Sequence, residues 1–359
     1  AVHVKDHVKN FNLFEEGLSL GSLCLEQNTK AMFNLWSTLL NKVTFNDVDR
    51  FSILVREAAG NLSNGIADSG HLYAIMNASS HVNPAAYRRE QFGGLTYIQK
   101  MKKIASNEDL TPLLANIRSI GEHVLHKNRM RCALNVSPEQ DSKAVDMVSQ
   151  FLSQIRGTCH GDLEMSKFSP KLNFKKYHYV LPFAVNYCAK AIQCAPFANK
   201  NYASLKVLSK LLSTKYLLPL VRERYGAYGA GVKLSFGGTL QFFSYRDPNI
   251  VGTMSIFDDA QKWVDRNQFT DQDIDEAKLA VFREIDAPLA PNDHGMRMFM
   301  HGVSDELFSE HRLQVLDVDR SSLHKASVKY LGLLGSKVVI GPENQETEDW
   351  IRIYSDENH

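Results

Sequence analysis

The sequence predicts an α+β protein of two tandem, homologous domains, each a mostly antiparallel sheet packed with helices. Its 359 residues are too many for one ordinary hydrophobic core, and 44% apolar with 23% charged residues is typical of a globular protein. Segments with helical apolar spacing alternate with segments rich in β-branched and aromatic residues. Similar motifs also recur in the same order in both parts of the chain, which indicates repeated domains.

A domain boundary is predicted near the middle of the chain. The stretch 157–176 contains two glycines, a proline and many polar residues without clear periodicity, as is typical of a linker. It would separate a first domain at 1–156 from a second domain at 177–359. Both are of ordinary size for a domain.

The predicted repeat depends on how helices begin and how each domain ends. Thr44 and Thr270 each lie three residues before an aspartate and precede an apolar helical pattern, so each is predicted to cap a helix. Strands are expected at 131–136 and 337–340, each followed two residues later by a proline. The alternative is that Thr-x-x-Asp caps are common and match by chance. The shared order favours the repeat.

Several further elements are predicted from the spacing of apolar residues. They are strands at 18–26 and 177–187, helices around 32–40 and 205–212, and a hairpin at 232–245 that turns at Gly237-Gly238.

Charge and cysteine content exclude several classes of protein. The net charge is +1 and basic residues are interleaved with acidic ones, so neither nucleic acid nor an anionic membrane is expected as a partner. No apolar run approaches the ~20 residues that a membrane helix needs. Five cysteines without a C-x-x-C pair are interpreted as reduced, mostly buried thiols. The chain begins at Ala1 without a methionine, which we interpret as a sign that it was cut from a longer protein.

The sequence contains no complete catalytic motif. The H-x-x-E-H metallopeptidase signature, the G-x-S-x-G elbow and the phosphate-binding loops are all missing. His123 and His126 lack a third ligand nearby, so ordinary surface histidines are favoured over a metal site. The methionine-rich run between His294 and His301 is interpreted as part of the core. We therefore expect no metal and no cofactor to be bound by this chain.

Arg222 and Tyr228 are the candidate functional residues. They lie six residues apart in Arg-Glu-Arg-Tyr-Gly-Ala-Tyr, between a predicted helix and the hairpin. Arginine offers a fixed fork of donors and tyrosine a hydroxyl on a rigid ring, and such a pair suits a peptide carbonyl or the oxyanion formed from it. The alternative is an ordinary helix end, where arginine is favoured by the dipole and glycine ends the helix. The residues alone leave both interpretations open.

The same motif and its surroundings resemble a known family. Arg222–Gly229 and the Ser-Tyr-Arg-Asp-Pro-Asn of 244–249 resemble the R-x-K-G-G-A-Y-G and S-Y-R-D-P-N blocks of presequence proteases, which are pitrilysin-type zinc metallopeptidases. Further similar blocks span nearly the whole chain in the family's order, at 68–73, 272–279, 302–306 and 341–344. The resemblance covers the C-terminal half of the family only.

The resemblance implies a specific role for the chain. It implies a pitrilysin-like fold and a zinc site on the N-terminal half, which this chain lacks, so that the chain alone would be inactive. Arg222 and Tyr228 would complete the catalytic site by binding the substrate backbone and stabilising the oxyanion. The implied substrates are cleaved presequences and other short unstructured peptides in the mitochondrial matrix. The alternatives are a non-catalytic peptide-binding module that offers a sheet edge, and a separate subunit of a related processing peptidase.

Two residues depart from the family's pattern. Tyr225 replaces the first glycine of the G-G pair, so a left-handed backbone at that position would be strained. Pro219 lies in the preceding helical pattern and is expected to kink it.

Overall fold

The computed structural model describes residues 2–155 and 174–354. Most of the predicted linker, and Cys159 with it, lies outside the described residues. The domain boundary therefore stays a prediction.

Residues 2–155 form a small sheet and a set of helices. Strands β1 and β2 pair antiparallel, with Val2 opposite Leu18 and Asp6 opposite Phe14. The elements are β1 (Val2–Asp6), β2 (Phe14–Leu18), α1 (Thr29–Lys42), α2 (Val48–Ser80), α3 (Pro84–Gly93), α4 (Leu95–Ala105), α5 (Thr111–Val124) and α6 (Asp141–Ser153).

Residues 174–354 form a larger sheet with helices on it. The elements are β3 (Lys176–Val180), β4 (Tyr187–Gln193), α7 (Tyr202–Leu211), a π-helix (Leu212–Arg224), β5 (Gly229–Leu234), β6 (Thr239–Tyr245), α8 (Val251–Asp258), α9 (Ala260–Asp265), α10 (Asp271–Ile285), α11 (Met296–His301), α12 (Asp305–Leu316), α13 (Arg320–Tyr330), β7 (Ser336–Gly341) and β8 (Ile351–Tyr354). The strand order is β5-β6-β4-β7-β3-β8. β3 runs parallel to β7 and β8, and the other pairs are antiparallel, so the predicted α+β class with a mostly antiparallel sheet is confirmed here.

Helices cover both faces of the large sheet. Successive strand residues point to opposite faces, and β4 shows the consequence. Tyr187 and Ala189 pack in one cluster with α2 of the first region, whereas Cys188 and Ile192 pack in another with α7 and the π-helix. A helix that is distant in sequence therefore completes the core beneath the sheet.

Three expected strands differ from the structure. β2 ends at Leu18, so the strand predicted at 18–26 is wrong, and 131–136 is not a strand either. Neither segment has a neighbouring strand among the described residues, and Leu23 is 90% exposed, so no ladder satisfies their backbone groups. The single strand predicted at 177–187 is two strands that flank Pro182, because proline cannot donate to a ladder.

Other local predictions have mixed outcomes. Thr270 caps α10 with a reciprocal capping box to Asp273, as expected. Thr44 does not cap α2, because the Asp47 carboxylate lies closer and accepts the Arg50 N–H at 2.8 Å. The helices around 32–40 and 205–212, the 232–245 hairpin and the strand at 337–340 are confirmed.

The methionine-rich run is not part of the core. It forms the six-residue α11, in which no side chain is buried, because the left-handed Gly295 and Gly302 limit it to a short surface helix. The cysteines are free, but only Cys188 and Cys194 are buried, whereas Cys24 and Cys132 are exposed.

Although α2 is 33 residues long, neither it nor any other helix within the described ranges is apolar enough over a sufficient length to cross a membrane.

A buried carboxyl group lies where α2, α3 and β3 meet. Glu90 is 1% exposed, and its Oε1 accepts hydrogen bonds from Asn77 Nδ2 at 3.0 Å and from the Thr96 backbone at 3.0 Å. Burial raises its pKa to about 7, although these hydrogen bonds act in the opposite direction. The carboxyl group is therefore neutral in the folded protein at pH values where it is ionised in the unfolded chain.

Replacing Glu90 with glutamine is expected to stabilise the protein at pH 8 but not at pH 4. Because the folded pKa lies above the ordinary 4.5, the native state holds its proton more tightly, and stability falls as the pH rises from about 4.5 to 7. The gain at pH 8 is on the order of 3 kcal/mol. Urea unfolding at both pH values measures it, with the exposed Glu57→Gln as the control. A Glu90→Gln effect independent of pH would contradict the assignment.

Candidate substrate-binding site

Arg222 lies in the last turn of the π-helix, which continues directly from α7. Wide π-turns are uncommon and occur frequently at functional sites. The helix passes through Pro219 without ending. Proline in an α-helix would collide with the carbonyl four residues earlier, and the wider turn is an alternative to a break. Tyr216 anchors the buried side of the helix by donating to the Ile256 carbonyl at 2.6 Å, and Arg222 is exposed.

A glycine turn connects the π-helix to β5. Gly226 has φ of +81°, and the Gly226 N–H donates to the Arg222 carbonyl at 3.0 Å. Tyr225 has φ of −101°, so the expected strain at that position is wrong. The left-handed conformation is confined to the one position where a glycine is present. The substitution of tyrosine for the first glycine therefore leaves the turn intact.

The turn brings the backbones of Arg222 and Tyr228 side by side. The Ala227 N–H donates to the Val221 carbonyl at 3.1 Å, and each candidate residue directly follows one partner of that bond. Both side chains are exposed, Tyr228 by 69%. Among the residues that the structure describes, neither the guanidinium nor the hydroxyl has a hydrogen-bond or ion-pair partner. Both donors are therefore available to a ligand.

The neighbouring strand β6 holds Tyr228 in place. Its N–H lies 3.1 Å from the Tyr245 carbonyl and 3.3 Å from the Arg246 carbonyl. Its ring meets the Tyr245 ring edge-on with centroids 5.6 Å apart. Tyr245 in turn contacts His71 of α2 at 4.8 Å and Tyr187 of β4 at 5.7 Å. The position of Tyr228 thus depends on residues from three separate elements.

The residues after β6 lock this corner through a buried aspartate. Asp247 is fully buried and accepts hydrogen bonds from the Asn249 N–H at 2.9 Å and the Thr253 hydroxyl at 2.7 Å. Burial raises the pKa of Asp247, and these hydrogen bonds act in the opposite direction. The Asn249 amide then donates to the Tyr225 carbonyl at 2.8 Å. The Asp-Pro-Asn segment therefore holds the glycine turn.

Sequence reasoning identified Asp247 and Asn249 only as part of a family block. Asp-Pro-Asn after a strand is a turn signal, but nothing local indicates that it supports the Gly226 turn. Asn186 completes the same corner through paired backbone bonds with Asp247 at 2.9 and 2.8 Å. No sequence signal pointed to it.

The described residues of this chain do not fit a zinc ion. Within residues 2–155 and 174–354, no three His, Cys, Asp or Glu side chains are grouped as ligands. His123 Nε2 lies 3.1 Å from the Arg129 guanidinium, and this permanent charge disfavours a cation there.

Comparisons with known proteins place the chain. A family model for a region associated with peptidases of family M16, subfamily C, matches residues 1–104, and one described as "PreP C-terminal domain" matches residues 176–337. "Presequence protease, mitochondrial" of Xenopus tropicalis is 37% identical over 96% of this chain and 36% of that relative. The chain thus spans about a third of the length of the curated relatives that it matches.

Solved structures agree on the fold. A protease from Helicobacter pylori has a TM-score of 0.63 at 14% identity, covering 88% of this chain and 77% of that one. The "peptidase M16 inactive domain" from Pseudomonas fluorescens has a TM-score of 0.57 at 15% identity, covering 90% and 77%. The fold is therefore the pitrilysin-like α+β fold of M16 peptidases. Together with the sequence matches, it shows that the chain belongs to the presequence protease family.

Proposed function

We propose that this chain supplies the substrate-binding and oxyanion-stabilising groups of a presequence-degrading zinc metalloendopeptidase. The observation that carries the proposal is the pair Arg222 and Tyr228, which present two unpaired donors from one fixed turn. The site needs no rearrangement of its backbone to expose them. Such preorganised donors are the usual means of stabilising charge that develops on a carbonyl oxygen.

Each residue has a distinct part in the proposed mechanism. The Tyr228 hydroxyl donates a hydrogen bond to the substrate carbonyl oxygen, and strengthens it as that oxygen becomes negative. The Arg222 guanidinium binds neighbouring backbone carbonyls and adds a permanent positive charge. The zinc ion of this class is proposed to lie in the N-terminal part of the full-length protein, since the described residues here group no ligands for it.

The proposed substrates are cleaved presequences and other short unstructured peptides in the mitochondrial matrix. The relatives are named mitochondrial presequence proteases, which supports both the substrate class and the compartment. An exposed pair on a surface turn suits a peptide in an extended conformation, whose carbonyls are free of internal hydrogen bonds.

The alternative of strand addition at the β5 edge is less well supported. An added strand would pair with the outward N–H groups of β5. The Val232 N–H is already bonded to the Ser213 hydroxyl of the π-helix at 2.8 Å. The Arg222–Tyr228 turn is therefore favoured as the peptide-binding feature.

Mixing this chain with the zinc-bearing N-terminal part of the protein is expected to generate peptidase activity that neither piece has alone. A quenched fluorescent peptide without secondary structure, with added zinc, reports cleavage. The expected result follows because the proposed zinc ligands and the Arg222–Tyr228 pair lie on different pieces. Zinc-dependent cleavage by this chain alone would contradict the proposal.

A further inference from the structure

An arginine beside the proposed site has an unusual backbone. Arg246 has φ of +48°, and Asn267 is the other non-glycine residue with positive φ within the described ranges. Asparagine tolerates this region, whereas an arginine there is disfavoured, and glycine would adopt it without strain. Such strained residues cluster at functional sites, where the side chain is needed. The backbone therefore indicates that the side chain of Arg246 is used.

The surroundings hold Arg246 but leave its charge uncompensated. Its guanidinium carbon lies 5.4 Å from the centre of the Tyr245 ring, the ring that supports Tyr228. Burial raises the pKa of the Tyr187 hydroxyl, and the adjacent Arg246 acts in the opposite direction. Asp68 also acts on Tyr187, but no carboxylate in the described part of the chain forms an ion pair with Arg246.

Other cations at this corner are equally unpaired. Arg222, Arg224 and Lys233 also lack a carboxylate partner among residues 2–155 and 174–354. Elsewhere on the second region, many basic side chains are paired, as in Lys215 with Asp273 at 2.8 Å. Positive charge is thus concentrated next to the turn that carries Tyr228. Concentrated charge of one sign attracts ligands of the opposite sign.

We propose that Arg246 binds a carboxylate group of the peptide substrate, beside the Arg222–Tyr228 pair. The inference rests on the proposed function and extends it to substrate choice. The arginine fork matches a carboxylate bidentately, and the aromatic ring beneath it restricts the guanidinium. A carboxylate reaches this corner from two sources, the C-terminus of the peptide or an acidic side chain within it. The chemistry of recognition is the same for both.

The experiment compares two pairs of peptides with the full-length protein. The first pair is one sequence with a free C-terminal carboxylate or a C-terminal amide. The second pair has Glu or Gln at one interior position, with both peptides amidated. The proteins are the unaltered protein, Arg246→Asn and Arg246→Gly, both of which tolerate the left-handed backbone, and Arg283→Gln as the control. Arg283 is an exposed arginine on α10 that also lacks an ion-pair partner among the described residues.

The unaltered protein is expected to have a KM about tenfold lower for the carboxylate-bearing member of at least one pair, as for one charge-assisted hydrogen bond. Both Arg246 variants lose this preference, with kcat on the neutral peptide unchanged, and Arg283→Gln keeps it. The pair in which the preference disappears identifies the source of the carboxylate. No preference in the unaltered protein, its persistence in both variants, or equal loss in Arg283→Gln would overturn the inference.

Failure of this inference is distinguishable from failure of the proposed function. The proposed function is tested by kcat on a neutral peptide when Tyr228 is altered, whereas the inference is tested by the KM difference within a peptide pair.

Discussion

Replacing Tyr228 with phenylalanine in the full-length protein is expected to lower kcat by roughly 10²–10³-fold, the usual effect of losing one oxyanion donor. KM should change little, because the hydroxyl contributes most when charge develops on the substrate oxygen. The ring and its edge-on contact with Tyr245 at 5.6 Å remain, so the turn is preserved. Steady-state cleavage of a neutral unstructured peptide measures the effect.

The control for this experiment is Tyr354→Phe. Tyr354 is 53% exposed on β8, at the opposite edge of the sheet from β5. Its substitution removes the same hydroxyl without touching the Gly226 turn, so kcat should be unaffected. Arg222→Gln should also lower kcat, and in addition raise KM, since arginine binds the substrate backbone before reaction. Full activity of Tyr228→Phe would remove the residue from the catalytic site.

Replacing Gly70 with alanine is expected to destabilise the protein by about 3 kcal/mol, the upper end for overpacking a core. A β-carbon at Gly70 would lie 2.3 Å from Cδ2 of Tyr187, closer than carbon atoms approach. Tyr187 has little room to move, because it is 2% exposed and its hydroxyl donates to the Ala67 carbonyl. Urea unfolding of the purified chain measures the loss.

Gly60→Ala provides a matched control on the same helix. Its β-carbon would meet nothing within 4 Å, so alanine should raise stability by about 0.5–1 kcal/mol through helix propensity. Because Tyr187 supports Tyr245, and Tyr245 supports Tyr228, Gly70→Ala should also lower activity in the full-length protein. Equal unfolding midpoints for the two variants would show that α2 does not pack against β4 as described.

Local features of the site were predictable because they depend on residues close in sequence. A helix that ends near a glycine and leads into a hairpin follows from Gly226 and the β-rich runs after it. The Thr270 capping box is likewise encoded within four residues. The predictions at 18–26 and 131–136 were wrong because a strand requires a partner, which residue patterns alone do not supply.

The support for the site was not predictable, because it joins residues far apart in the chain. Asn186 and Asp247 are 61 positions apart, yet their backbone bonds fix the corner that holds Tyr225 and Tyr228. The left-handed backbone of Arg246 is equally hidden in the sequence, since arginine gives no signal for it.

The sequence by itself determined the α+β class, the family, and the helix–glycine turn–hairpin order around Arg222 and Tyr228. These follow from composition, periodicity and short motifs, which act over a few residues. Only the tertiary structure decided that α2 covers the sheet of the second region, and that His71, Tyr187 and Tyr245 form the support behind Tyr228. Such contacts depend on which surfaces pack together. The chain chooses among many similar apolar faces by their fit in three dimensions.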